Sequence, residues 1–238
     1  MEPGRRQKRR VQHRVKNFFL HVCSRTIANW SEIPEVLMAN NEYSFDTDMV
    51  SRLIRKRRTI KPSAYDDRPV PKAVIEKIIE NAHWAPTHGQ TFPWRFFICC
   101  GDARNELANT LCDIYRMITT KDTFKEKKFT GIRQNVLASP VTISIAMKRD
   151  ETGKIQEIDE VMAVGCAVQN MHLTATAYGL GGFWSTHSAV TSRRYCDHLG
   201  LNQGDKALGL FFIGYPKSPW PLGKRGPITE VACWEDKL

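Results

Sequence analysis

After Glu160 the chain enters a run, "IDEVMAVGCAVQNMHLTATAYGLGG", that is nearly devoid of charge: about 20 residues of small and apolar side chains. A helix of that composition has to be covered on most of its sides, so the fold must be assembled around it. Its small residues Ala163, Gly165, Ala167, Ala175 and Ala177 would allow close approach of a partner copy. A membrane span is the alternative. Gln169, Asn170, His172 and several Thr argue instead for a core or dimer-interface helix. No apolar run elsewhere reaches the roughly 18 residues that a bilayer span needs, so a soluble protein is expected. At 238 residues and 42% hydrophobic content, the chain can bury a sizeable core as one large domain.

The elements around that helix follow from apolar spacing. "DTDMVSRLIRKR" carries Met49, Val50, Leu53 and Ile54 at helical spacing behind an Asp or Thr cap and ends near Arg58. "VPKAVIEKIIENAHWAP" is opened by Pro71, presents Val74, Ile75, Ile78 and Ile79 on one face, and is closed by Pro86. "ARNELANTLCDIYRMI" and "TFKEKKFTGIRQNVLAS" read as two further amphipathic helices, and "SRRYCDHLGL" as a short one closed by Gly200. "WRFFICC" and "PVTISIAM" are short apolar runs suited to buried strands, joined by "GGFWST" and "ALGLFFIGYP". Helices and strands intermix without a strict βαβ rhythm. That predicts an α+β, three-layer fold with a mixed central sheet over residues 46–238.

The net charge of +10 is unevenly placed. Residues 1–31 hold eight Lys or Arg against Glu2, a balance of +7 that leaves only +3 for the rest. A mildly basic body with a basic tail does not read as a nucleic-acid-binding domain. Residues 1–45 are expected to form a disordered basic extension, with an Arg-rich targeting segment as the alternative and Met38 as a possible start of the compact part. The seven cysteines are odd in number, lack CxxC spacing and sit mostly among apolar neighbours, which suggests reduced thiols and a cytoplasmic protein.

Most familiar chemistries are excluded. The glycine cluster "YGLGG" follows a helix instead of opening one, so it is not a dinucleotide fingerprint. His83, His88, His172, His187 and His198 show no metal-ligand spacing, and no metal is expected. Ser139, Ser185 and Ser188 lack the context of a nucleophile elbow. What stands out is "RKRRTIK" at 55–61, four cations around one threonine where a helix must stop. It is either a solvated basic helix end or a corner that binds phosphate through guanidinium and hydroxyl groups. A protein without an evident acid, base or nucleophile suits an organic cofactor that carries the reaction itself.

The run "RLIRKRRTIKPSAYDDRPVPKAVIEKIIENAHWAPTHGQTFPWRFFI", followed in order by "GLGGFWST", "IGYP" and "KRGPITEVACW", resembles the nitroreductase family of FMN-dependent oxidoreductases over roughly residues 47–235. The resemblance implies an intertwined homodimer with FMN at the subunit interface. It assigns Arg57, Arg58 and Thr59 to the flavin-binding corner, with Thr59 in place of the usual serine. Lys61 falls near the N1 and O2 edge of the isoalloxazine, where a cation favours negative charge on the ring. Lys224 and Arg225 match a basic pair that holds the FMN phosphate. Trp184, Ser185 and Thr186 match the segment along the other side of the flavin, and Trp84 is placed among the flavin contacts. The segment "APTHGQTFPW" is longer than the family pattern and puts His88 where many members have a small polar residue; it would face the flavin of the second subunit.

The activity implied is ping-pong reduction of nitroaromatics, quinones or similar flat acceptors by NAD(P)H, with the chemistry at FMN N5 and no catalytic side chain. A specialised flavin enzyme of the same fold, such as a dehalogenase or a flavin-destroying synthase, would need a lid, for which 118–135 is the candidate. A binding protein recruited through its basic tail is the alternative from another class.

Overall fold

The computed structural model describes residues 45–234. The basic extension expected over 1–45 therefore lies, up to residue 44, outside the described residues. The helices are α1 (Thr47–Lys56), α2 (Lys72–His83), α3 (Ala103–Ile118), α4 (Glu126–Ala138), α5 (Glu157–Ala177) and α6 (Arg193–His198). The strands are β1 (Trp94–Cys100), β2 (Val141–Met147), β3 (Gly181–Ser185) and β4 (Lys206–Gly214). Residues Thr47–Leu222 form one compact unit, and the described residues 223–234 belong to another. In that second stretch Ile228–Glu230 forms a 3-10 turn.

The sheet order is β1-β2-β4-β3, and every neighbouring pair is antiparallel. This corrects the expected mixed sheet. Both β2 and β3 run antiparallel to β4, so the β2–α5–β3 connection does link parallel strands, but β4 inserts between them. Among the described residues, the parallel pairing that remains is a single bridge, Thr59 to Gly182.

Alternation along the strands feeds two cores. Val141, Ile143, Ile145 and Met147 of β2 and Phe211 and Ile213 of β4 meet Ile78 and Ala82 of α2 and the inner face of α5. Leu210 and Phe212 point the other way, against Leu107 and Leu111 of α3, Ile132 and Val136 of α4 and Tyr195 of α6. Helices on both faces of one sheet make three layers. Strand β1 lies at an edge and is not the buried strand its composition suggested: Trp94 is buried, while Ile98 and Cys100 are exposed.

Helix α5 buries one half of its surface, not most of it. Ala163, Val164, Ala167, Val168, Met171 and Ala175 face the core of their own chain, whereas Ile158, Met162, Cys166 and Gln169 face outward. Its inward alanines thus make room for neighbouring elements of the same chain, chiefly α2, instead of for a partner copy. Among the described residues no helix is long and apolar enough to cross a membrane.

Candidate functional site

Helix α1 places Arg55 and Lys56 in its last turn, where cations complement the outward carbonyls. Its final hydrogen bond runs from the Arg57 amide to the Leu53 carbonyl at 3.1 Å. Beyond it the chain docks on the start of β3, where the Ile60 amide donates to the Gly182 carbonyl at 3.1 Å. The buried Tyr65 hydroxyl donates to the Ile60 carbonyl at 2.7 Å and pins the corner from its other side. The approach to β3 requires glycine: a Cβ on Gly181 would lie 2.8 Å from Ile60 Cβ and 3.0 Å from Tyr65 Cε1.

The two arginines of the corner do different work. Arg58 turns its guanidinium onto the backbone, donating from Nε to the Pro221 carbonyl at 3.1 Å and from Nη1 to the carbonyls of Arg55 and Arg57 at 2.5 and 2.7 Å. Arg57 Nη1 lies 3.5 Å from Nδ1 of His172, a residue of α5. His172 Nε2 lies 3.0 Å from the Arg58 carbonyl. A carbonyl only accepts, so Nε2 carries the ring proton and Nδ1 presents a lone pair toward Arg57. Burial, reinforced by the Arg57 charge, pushes the His172 imidazole down to about 4 and keeps it neutral.

On β3, Trp184 is held by a β-bulge. The β2–β4 register shifts between Ile145 and Ala146, which leaves Leu208 without a partner on β2. The Leu208 carbonyl accepts from Trp184 Nε1 at 3.1 Å. The next residue, Gly209, has φ +138°, and a Cβ there would come within 2.4 Å of Trp184 Nε1. Ser185 pairs with Leu210, and Thr186 follows, exposed, at the end of the strand. His187 has a buried Nδ1 without a hydrogen-bond partner, and burial pushes this ring down to about 4 as well, with help from Lys128.

The fold therefore brings Arg57, Arg58 and Thr59 to the edge strand that carries Trp184, Ser185 and Thr186, with exposed Lys61 following at the start of the 3-10 turn Pro62–Ala64. It does not bring His88 there. His88 Nδ1 pairs with Asp159 Oδ2 at 2.9 Å in the first turn of α5. Asp159 and His172 are 13 residues apart on one helix, roughly 20 Å at 1.5 Å per residue. Trp84 caps α2 with 81% of its surface exposed. The loop after it holds two non-glycine residues in the left-handed region, Gln90 (φ 52°) and Phe92 (φ 45°), a strained conformation that ordered functional loops retain. Lys224 and Arg225 lie in the second unit, both exposed, with Arg225 Nη1 donating to the Lys224 carbonyl at 2.8 Å. The segment 118–135 runs from the last residue of α3 through a turn into α4, and its Phe124, Phe129 and Ile132 pack beside α3.

Sequence reasoning missed His172, Asp159 and the Leu208 bulge. The one available signal was a histidine inside an otherwise charge-free helix. The arrangement offers cations and a hydroxyl at one end and a tethered indole at the other. That donor set fits a flat ring system carrying a phosphate, and no nucleophile is poised among these residues.

A family model described as "Nitroreductase family" matches residues 54–215. The chain is 26% identical over 194 residues to YfhC of Bacillus subtilis (strain 168), provisionally named an NAD(P)H nitroreductase, covering 81% of this chain and 97% of YfhC. Among solved structures it is similar to a nitroreductase-like family protein from Bacillus cereus (TM-score 0.69, 26% identity, 83% of this chain and 100% of that one). A nitroreductase from Desulfovibrio desulfuricans, solved in complex with FMN, shares the fold (TM-score 0.58, 24% identity, 81% of this chain and 98% of that one).

Proposed function

We propose that this chain, which belongs to the nitroreductase family, is an FMN-dependent oxidoreductase that takes electrons from NAD(P)H and passes them to nitroaromatics, quinones or similar flat acceptors. The observation that carries this reading is the docking of the 57–61 corner on β3 through Thr59 and Gly182. It sets cations and a hydroxyl beside the Trp184 segment, as a phosphate-bearing flavin requires, and it agrees with the FMN named for a neighbour of the same fold.

When bound, FMN supplies the hydride- and electron-transfer chemistry. The chain's residues bind and orient. Arg57 and Thr59 hold the anionic end through charge-assisted contacts, and Lys224 and Arg225 are further cations of a kind suited to a phosphate. Lys61 supplies the cation for the polar edge of the ring, and Trp184, Ser185 and Thr186 line its other side. Arg58, through its three backbone carbonyls, keeps the corner in shape.

The site is completed by a second copy of the chain, which contributes Trp84 and His88. Two features support the dimer. Helix α1 is strongly amphipathic, yet it has no buried residue in the single chain. Its exposed Val50 and Ile54 join Trp84, Ile158 and Met162 among exposed apolar side chains that a monomer rarely leaves in water.

Steady-state kinetics test the reading. Initial rates with varied NADH or NADPH against a quinone or a nitroaromatic are expected to give parallel double-reciprocal lines, because both substrates use one site in turn. Intersecting lines, or no turnover with either nucleotide, would contradict it.

A further inference from the structure

We infer that His172 is a positioning residue for the cofactor: its bare Nδ1 accepts from Arg57 and aims that guanidinium at the flavin site, while its Nε2–H holds the Arg58 carbonyl. This rests on the proposed role of Arg57 as an FMN contact.

The geometry carries the assignment. One imidazole spans two consecutive residues of the corner, 3.5 Å to Arg57 Nη1 and 3.0 Å to the Arg58 carbonyl. The ring itself cannot turn freely. It is 7% exposed, it meets Phe211 edge-on at 5.2 Å between centroids, and the bare Cα of Gly182 lies against it. A long arginine side chain loses rotamer freedom whenever it holds a ligand, and a fixed acceptor at its guanidinium removes part of that cost before the ligand arrives. The contact is long for a hydrogen bond, so its effect is orientation more than stability.

Two substitutions separate the two nitrogens. An asparagine places its Oδ1 close to the position of Nδ1 and keeps the acceptor for Arg57. A glutamine reaches the Nε2 position with its amide, keeps the donor to the Arg58 carbonyl and loses the acceptor. FMN affinity of the apoprotein is read from quenching of flavin fluorescence. His172→Asn is expected to stay within about threefold of wild type and His172→Gln to weaken binding about tenfold, the scale of one charge-assisted contact. In an Arg57→Ala background, His172→Gln should add less than about twofold, because coupled residues are not additive.

Equal losses in the Asn and Gln variants, or full additivity with Arg57→Ala, would overturn the assignment. A wild-type affinity in His172→Gln alongside a weakened Arg57→Ala would defeat the role of His172 and leave that of Arg57 standing. A wild-type affinity in Arg57→Ala would defeat both. Nitrogen NMR of the unmodified protein gives a reading that does not depend on how the variants fold: His172 is expected as a neutral ring protonated at Nε2. Protonation at Nδ1 would contradict the inference.

Discussion

The four cations of "RKRRTIK" look alike in the sequence and part ways in the fold. Arg55 and Lys56 close a helix, Arg58 binds backbone carbonyls and Arg57 meets a histidine 115 residues later. Charge density was legible; the division of labour was not, since it depends on where α5 delivers His172. That buried imidazole has a consequence for stability. Its folded value, about 4, lies below the usual 6.5, so the ring is neutral in both states above pH 6.5 and stability is then undiminished. As the pH falls below 6.5 the unfolded chain takes up a proton that the folded one refuses, and the loss continues until the pH passes the folded value. Between pH 6.5 and 5, His172 should cost on the order of 2 kcal/mol of folding free energy. Urea unfolding of the apoprotein across that window should show the drop, to which the similarly lowered His187 adds, and His172→Asn should remove about half of it. A stability independent of pH in that range would contradict the buried neutral ring.

At the scale of elements, "WRFFICC" and "ARNELANTLCDIYRMI" became β1 and α3 with their boundaries unchanged, because strand and helix periods there are bounded by turn residues. The order of the sheet was not legible. No local signal states that the last strand will insert between two earlier ones, nor that Leu208 will bulge and offer its carbonyl to Trp184. The faces of α5 were hidden for a similar reason: a run of small and apolar residues looks the same from every side until its neighbours are known. Ala167 points into the core of its own chain, so a charge there would unfold the protein and report nothing about assembly. Met162, 55% exposed, is the informative position. Met162→Glu should leave the fold intact, yield a monomer in light scattering and lower FMN content together. A dimer that still retains its FMN would remove this face of α5 from the interface.

For the molecule as a whole, a sheet covered on both faces by helices carries, at its β3 edge, the corner proposed here as a flavin site that works with NAD(P)H. The fold class and the corner came from ordered motifs spread over most of the chain. The proposed partner copy, by contrast, would be registered in one chain only as exposed apolar surface, such as Trp84 at 81% exposure. The most direct measurement is the absorption spectrum of the purified protein, reconstituted with FMN and titrated with NADH and then NADPH in the absence of oxygen. The expected result is a yellow protein that bleaches with at least one nucleotide and recovers its colour when a quinone or nitroaromatic is added. A protein that takes up no FMN, or a yellow one whose spectrum neither nucleotide changes, would contradict it.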